Sequence, residues 1–91
     1  MAKKSNGNSA SRGHLSLNLR YVRTLHGWSQ EELGLKCDLK RTYIGALERR
    51  EVNPGIDNVD CIAFALGVPG HVLILDPIEA HPMFLNGSKK R

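Results

Sequence analysis

A cluster of basic side chains near the middle of the chain offers the clearest chemistry in the sequence. Lys40, Arg41, Arg49 and Arg50 fall within eleven residues, and Thr42 follows the first pair. A guanidinium group can bind both acceptor atoms on the major-groove edge of guanine, and a threonine can offer a hydroxyl group or a methyl group to DNA. This combination of residue types favours DNA binding, provided that one helix face carries them.

The elements that carry this cluster are predicted to be two short helices joined by a tight turn. Ser29 and Glu32 have the spacing of a capping box, which predicts a helix over residues 29–36. Residues 40–49 place apolar side chains at helical spacing behind the basic ones. Asp38, in the three-residue connection, tolerates the left-handed backbone of a tight turn. The pattern is typical of a helix-turn-helix unit, whose second helix enters the major groove.

Three further segments complete the prediction of an all-α fold, a compact five-helix bundle that contains the helix-turn-helix. Apolar spacing predicts a first helix over residues 15–26 and a fourth over residues 56–66. Residues 70–75 fit a brief fifth helix, although residues 72–75 could equally be a strand. The predicted divisions are a disordered basic arm over residues 1–14, the domain over residues 15–75, and an extension with a basic tail over residues 76–91.

Length and charge restrict the classes of function. The 91 residues leave room for one domain, which makes a catalytic cleft between two lobes improbable. No carboxylate pair, Ser/His/Asp set or phosphate-binding glycine loop is apparent, so we expect no enzyme. The net charge is +4, but the segment over residues 15–75 has seven cations and seven anions, so bulk charge alone does not indicate nucleic acid. With neither a leader peptide nor a long apolar run, a cytoplasmic protein that avoids membranes is expected.

The cysteines and histidines give no sign of a metal or another cofactor. Cys37 and Cys61 lie 24 positions apart, and the four histidines fall at no metal-ligand spacing. A structural disulfide is not expected in a chain without an export signal. Cys37 is interpreted as a small residue that fills the turn rather than as a reactive thiol.

Six short segments between residues 19 and 68 occur in the order and spacing of a known family. They are Leu19-Arg20 with Arg23, Trp28-Ser29-Gln30-Glu31-Glu32-Leu33, Arg41-Thr42-Tyr43-Ile44, Leu47-Glu48-Arg49, Asn53-Pro54, and Ile62-Ala63 with Ala65-Leu66-Gly67-Val68. Together they resemble the XRE/phage-repressor helix-turn-helix family. The stretch over residues 39–49 most resembles the controller proteins of restriction–modification systems.

The resemblance implies a homodimer that binds double-stranded DNA of specific sequence and regulates transcription, without a cofactor. It also assigns residues to two kinds of DNA contact and to one structural ion pair. The residues implied to face base edges are Lys40, Arg41, Thr42 and Ala46; those implied to face phosphates are Gln30, Tyr43, Arg49, Arg50 and Asn53; and the ion pair joins Arg20 to Glu48. Arg23 is then expected to be solvated or near a phosphate.

Several positions depart from the family pattern. The family usually has alanine where Gly34 stands, glycine where Asp38 and Arg50 stand, and serine where Lys40 and Gly55 stand. Lysine cannot cap a helix as serine does, which costs about 1 kcal/mol, but it offers a positive charge to DNA. Arg50 suggests an added phosphate contact at the position where the helix must end.

The predicted fourth helix has a second stripe, separate from its core stripe. Asp57, Cys61, Phe64 and Val68 follow the 4-3-4 spacing of one face, and an exposed phenylalanine would leave an apolar patch that needs cover. The predicted dimer interface, with residues 78–85 packed beside it, consists of Cys61, Phe64, Val68, Val72 and Leu75. Alternatively, Phe64 packs beneath the C-terminal segment of its own chain.

A second class of function uses the same scaffold. In an antitoxin or adaptor, the apolar fourth and fifth helices would hold a protein partner, and DNA binding would be secondary. A partner that co-purifies with the chain would favour this alternative, as would heterodimer formation through Phe64. Sequence-selective binding to an inverted repeat would favour the homodimeric regulator.

Overall fold

The computed structural model describes residues 9–89, and the side chains of residues 9–85. Within that range the regular structure is entirely helical, which confirms the predicted all-α class. None of the helices in this part of the chain is long and apolar enough to cross a membrane. The α-helices are α1 (Ala10–His26), α2 (Gln30–Cys37), α3 (Arg41–Glu48), α4 (Ile56–Leu66) and α5 (Pro77–Lys89), and a 3-10 helix (Gly70–Ile74) separates the last two.

The ends of α2 and the start of α3 are determined by local interactions, and the residues involved are those that the sequence analysis identified. The Ser29 hydroxyl oxygen accepts the Glu32 backbone N–H at 3.0 Å, and the Ser29 N–H donates to the Glu32 carboxylate at 2.7 Å, so the capping box is confirmed. Asp38 ends α2 in the left-handed conformation, with φ 58° and ψ 41°. Lys40 begins α3 without a side-chain cap. This start is weaker than a serine would give, and it leaves the lysine side chain exposed.

The first helix begins earlier than the apolar spacing predicts. Ser9 caps α1 by accepting the Arg12 backbone N–H at 3.3 Å, and the helix runs from Ala10. The predicted disordered arm is therefore wrong for residues 10–14, while residues 1–8 lie outside the described part of the chain. The apolar spacing did not predict this turn because its one buried residue, Gly13, has no side chain.

The C-terminal part of the chain completes the bundle. The side-chain amide of Asn18, fully buried in α1, donates to the carbonyl oxygens of Leu73 at 2.9 Å and Leu75 at 2.8 Å. This pairing satisfies the end of the 3-10 helix. The predicted brief helix over residues 70–75 is thus present as a 3-10 helix, and the alternative strand is wrong. The predicted extension continues as α5, which buries Phe84 against the core. Residues 90 and 91 of the predicted tail lie outside the described residues.

Burial corrects the predicted dimer interface. Val72 is only 1% exposed and belongs to the core, because the 3-10 helix turns it inward. Leu75 is half-buried and packs against the core. Phe64 is 88% exposed, so the alternative in which it packs beneath its own C-terminal segment is wrong. Cys61 is exposed on α4, whereas Val68 follows the left-handed end of that helix at Gly67 and packs, half-buried, against the core.

Gly34 allows the turn to close tightly against α2. A Cβ atom at this position would lie 2.5 Å from the carbonyl oxygen of Leu39, well inside van der Waals contact with rigid backbone. Gly34→Ala is therefore expected to lower the free energy of unfolding by about 2 kcal/mol, measured by urea denaturation. Gly55→Ala is the control, because no atom lies within 4 Å of the methyl group that it adds. Equal losses in the two variants would contradict the steric explanation.

Candidate DNA interface

The helix α3 presents opposite properties on its two sides. Ile44 and Leu47 are 0% and 2% exposed and anchor the helix to the core. Arg41 and Thr42, in the first turn, are exposed. Among the described residues neither Lys40 nor Arg41 is held in an ion pair. The result is a rigid helix whose N-terminal end presents two cations and a hydroxyl group to solvent.

Ala46 lies further along α3 and is half-buried. Its methyl side chain adds little bulk there, so the helix surface stays close to its backbone. The four residues predicted to face bases, Lys40, Arg41, Thr42 and Ala46, thus share one short helix and its cap, and three of them are exposed.

Two predicted phosphate ligands meet over Gly45. A Cβ atom at Gly45 would lie 3.0 Å from the Arg49 Nη1 atom and 3.2 Å from the Gln30 Oε1 atom. Both side chains therefore lie over α3 at Gly45, the one residue of this helix that has no side chain. The sequence does not single out Gly45, because a glycine inside a predicted helix gives no sign of which side chains cover it.

Arg49 also has an acidic neighbour. Its Nε atom donates to the Glu51 carboxylate at 3.0 Å, and both side chains are 56% exposed. The hydrogen bond and charge of Arg49 lower the pKa of Glu51. Because exposed ion pairs are weak, a DNA phosphate can compete with Glu51 for the guanidinium group.

Tyr43 links the helix-turn-helix to α4. Its hydroxyl oxygen accepts a hydrogen bond from the Asn58 side-chain amide at 3.0 Å, which leaves the phenolic hydrogen available as a donor. The sequence analysis did not identify Asn58. Asparagine is common on protein surfaces, so nothing in the sequence indicated that this one binds Tyr43. The tyrosine is half-buried, with an apolar ring against the core and a polar end beside the start of α4.

Arg50 and Asn53 follow α3. Arg50 has a left-handed φ of 63°, which explains why the family usually has glycine there. Its guanidinium group lies over the first turns of α1, where its carbon would be 3.4 Å from a Cβ atom at Gly13. Asn53 is exposed in the loop before α4. These two predicted phosphate ligands are therefore displaced from the start of α3, towards α1 and the α3–α4 loop.

The buried carboxylate of Glu48 supports the candidate interface from the side of α3 that faces the core. The side chain of Glu48 has no exposed surface, and Arg23 of α1 binds it as a fork, with Nε donating at 2.7 Å and Nη2 at 3.0 Å. Gln30 donates its amide to the same carboxylate at 3.0 Å. The third guanidinium nitrogen of Arg23 donates to the Trp28 carbonyl oxygen at 2.8 Å. One carboxylate thus joins α1, α2 and α3 and positions Gln30.

The predicted Arg20–Glu48 ion pair is present, but it is not the principal pair of Glu48. Arg20 reaches the carboxylate only at 3.6 Å, and its side chain is 64% exposed, so it is the secondary partner. Arg23, predicted to be solvated or near a phosphate, is 15% exposed and forms the principal ion pair. The two arginines are three positions apart on one helix face, and the side-chain geometry that distinguishes them depends on tertiary packing.

The contacts around Glu48 determine the direction in which its pKa is shifted. Burial by itself would raise the pKa of Glu48, but the hydrogen bonds from Arg23 and Gln30, with the charges of Arg23 and Arg20, lower it overall. Glu48 is therefore ionised at neutral pH. Bidentate Arg–carboxylate pairs of this kind hold their partners in one geometry.

Comparison with known proteins agrees with the geometry of α2, the turn and α3. The Helix-turn-helix family profile matches residues 19–73, more than half of the chain. The protein therefore belongs to the helix-turn-helix family, within its DNA-binding, XRE-type transcription regulators.

Three relatives illustrate the similarity. A hypothetical transcription factor of Neisseria meningitidis serogroup B is 41% identical over 80 residues, which cover 88% of this chain and 76% of the relative. The crystal structure of the Neisseria factor superposes with a TM-score of 0.76 at 38% identity, over 91% of this chain and 94% of the other. The control protein C.BamHI of Bacillus amyloliquefaciens is 52% identical over 40 residues, 44% of this chain and 49% of the relative.

The third is the restriction–modification controller protein C.Esp1396I, whose tetramer was solved in complex with its natural 35 base-pair operator. It superposes with a TM-score of 0.67 at 28% identity, over 88% of this chain and 96% of the other.

Proposed function

We propose that this protein is a cytoplasmic transcription regulator that binds, as a homodimer, to a pseudo-palindromic operator, in the manner of a restriction–modification controller or a phage-type repressor. The observation that carries the proposal is the exposed first turn of α3, where Arg41 and Thr42 follow the Lys40 cap. The buried Glu48 network holds this helix rigid against α1 and α2. The operator complex of C.Esp1396I, a structural neighbour, supports DNA as the ligand.

The base-reading role belongs to the start of α3. In the proposed complex this end enters the major groove, where Arg41 binds a guanine edge and Thr42 contacts a thymine methyl group or a phosphate. Lys40 adds charge at the groove, and the small side chain of Ala46 permits close approach. None of these groups needs to break an existing ion pair among the described residues to bind DNA.

The phosphate contacts surround the groove. Gln30 is presented at the start of α2 by its bond to Glu48, and Tyr43 has a phenolic hydrogen to donate. Arg49, Arg50 and Asn53 extend this set towards the α3–α4 loop and α1. Contacts of this type fix the register of a protein on the duplex but carry little sequence information.

The dimer is proposed to form through the exposed side of α4. Phe64 is 88% exposed, and Cys61, three positions earlier on the same stripe of α4, is exposed as well, while Val68 and Leu75 are half-buried and pack against the core. Burying such a large aromatic side chain provides a strong driving force for association. A two-fold axis at this stripe would set the two α3 helices to half-sites about 34–36 Å apart, or multiples of that distance.

Selection from random duplex DNA at about 150 mM salt tests this function directly. We expect an inverted repeat to be enriched and to bind at least ~10³-fold more tightly than its scrambled version. General, salt-sensitive binding without enrichment would contradict the proposal. The exposed Phe64 stripe would then be tested as the binding surface of an antitoxin or adaptor, by asking whether a protein partner co-purifies with the chain.

Arg41→Ala tests the assignment of base contacts. On the selected operator it is expected to cost about 1–3 kcal/mol of binding free energy and to relax the preference at one base pair of each half-site. Lys36→Ala, which removes an exposed cation near Trp28 at the far end of α2, is the matched control and should change the affinity little. If Arg41→Ala weakened binding equally on all sequences, Arg41 would be a phosphate ligand.

A further inference from the structure

The two cysteines, 24 positions apart in sequence, meet in the folded chain. The Cys37 thiol, at the C-terminal end of α2, points at the carbonyl oxygen of Cys61 with a sulfur–oxygen distance of 3.9 Å. The Cys61 thiol, on α4, points back at the carbonyl oxygen of Cys37 with a distance of 3.6 Å. These two contacts run in opposite directions between the same residues, so each sulfur atom lies against the other residue's main chain. Neither cysteine is oxidised.

The two thiols differ in access to solvent. Cys37 is buried, 5% exposed, within the core cluster, whereas Cys61 is exposed. Burial, with the neighbouring Cys61 thiol, raises the pKa of Cys37 to about 11. In the single chain, Cys61 is therefore the sulfur that a dissolved oxidant reaches first, and Cys37 is held beside it as a protected second thiol.

We propose that Cys37 and Cys61 form a redox-active dithiol that a peroxide oxidises to an intramolecular disulfide, which fastens α2 to α4. For the bond to form, rotation about the two Cα–Cβ bonds would turn each sulfur from the opposite carbonyl group towards the other sulfur. This modification does not depend on the proposed DNA-binding function. In a reducing cytoplasm such a bond is transient and responds to oxidant.

The reaction balances with hydrogen peroxide as the oxidant. The Cys61 thiolate attacks one peroxide oxygen, the O–O bond breaks, and the departing hydroxide takes a proton to become water, which leaves a sulfenic acid on Cys61. The Cys37 sulfur then displaces the hydroxyl group from the Cys61 sulfur, and the Cys37 proton leaves with it as a second water. Two thiols lose two electrons in total, and one peroxide gains them.

The consequence follows from the loop that the bond closes. The segment between Cys37 and Cys61 contains all of α3, so the disulfide would fix both ends of the α3 segment to each other. A cross-link over a loop of this length restricts the unfolded chain and is expected to raise Tm by about 10 °C. All four residues proposed to face bases lie inside the loop, the first of them three positions after Cys37, and neither cysteine is one of them. Oxidation would thus stabilise the DNA-binding unit without replacing any DNA contact.

The test is thiol titration and intact mass of the full chain before and after hydrogen peroxide. We expect the loss of both titratable thiols, a mass lower by two hydrogen atoms, a raised Tm, and full reversal by dithiothreitol. The Phe64→Asp variant, which is expected to be a monomer, is oxidised in parallel. In a monomer, no dimer contact can shield the Cys61 thiol from peroxide. Cys37→Ala and Cys61→Ala are the matched single-thiol controls, and neither should show the reversible rise in Tm.

Two results would overturn the proposal. A covalent dimer on a non-reducing gel would mean that Cys61 pairs with a second copy rather than with Cys37. A gain of oxygen atoms on Cys61 in both the wild-type chain and the Phe64→Asp variant, with Cys37 still free, would mean that the two sulfurs do not reach each other.

Discussion

Replacing Glu48 with glutamine is expected to lower the free energy of unfolding by about 3 kcal/mol at neutral pH. The substitution leaves the Arg23 guanidinium, 15% exposed, without its counter-charge in a site closed by three helices. This loss of unfolding free energy is at the lower end of the range for broken buried ion pairs, because Arg23 keeps some contact with water. Urea denaturation at constant protein concentration measures it.

The pH dependence of this difference follows from the lowered pKa of Glu48. A carboxyl group whose pKa is lower in the folded state contributes its full stabilisation above the unfolded value, about 4.3, and loses it as the pH falls through the folded value. The wild-type chain should therefore lose its advantage over Glu48→Gln only below about pH 4. A difference that stayed constant down to pH 2 would contradict the assigned ionisation.

The chain offers matched controls for the network. Glu51→Gln removes the same charge from an exposed pair with Arg49, and we expect little change in stability. Arg23→Gln should destabilise more than Arg20→Gln, because Arg23 forms the forked pair and Arg20 a distant one. The reverse order would contradict the assignment of Arg23 as the principal partner.

Phe64→Asp is expected to give a folded monomer and to weaken operator binding by at least ~10²-fold. The ring is 88% exposed in the single chain, so its removal should change monomer stability little. A carboxylate buried without a partner in an apolar interface is costly, so the proposed dimer should dissociate. Analytical ultracentrifugation measures the mass, and circular dichroism with thermal unfolding checks the fold.

Leu35→Asp is the control for this substitution. Leu35 is 76% exposed on α2 and lies outside the Phe64 stripe, so the same added charge should leave the dimer intact. Dimers of equal strength in both variants would contradict the proposed interface. A monomeric Leu35→Asp together with a dimeric Phe64→Asp would place the interface on α2.

The sequence alone determined the helix-turn-helix because its signals are local. The capping box of Ser29 and Glu32 begins α2, and Asp38 accepts the left-handed turn. The exposed polar residues at the start of α3 and the apolar ones behind them follow from helical period alone. Each of these features is decided by residues within one or two turns, where propensity and hydrogen bonding suffice.

Long-range packing decided the rest. The 3-10 helix depends on Asn18, more than fifty positions earlier, whose amide satisfies the carbonyl groups of Leu73 and Leu75. That pairing turns Val72 into the core, away from the stripe that apolar spacing assigned to it.

Long-range packing also explains why the principal ion-pair partner of Glu48 and the role of α5 were not predicted from the sequence. Arg20 and Arg23 look alike in sequence, yet the packing of α1 against α3 brings the forked guanidinium group of Arg23, and not that of Arg20, onto Glu48. The segment of α5 was predicted only as an extension, because Ala80 and Phe84 are its only buried residues among the described side chains and they pack mainly against α1. The residue types thus fixed what each helix can present, whereas the partner of each side chain was set by contacts between segments far apart in the chain.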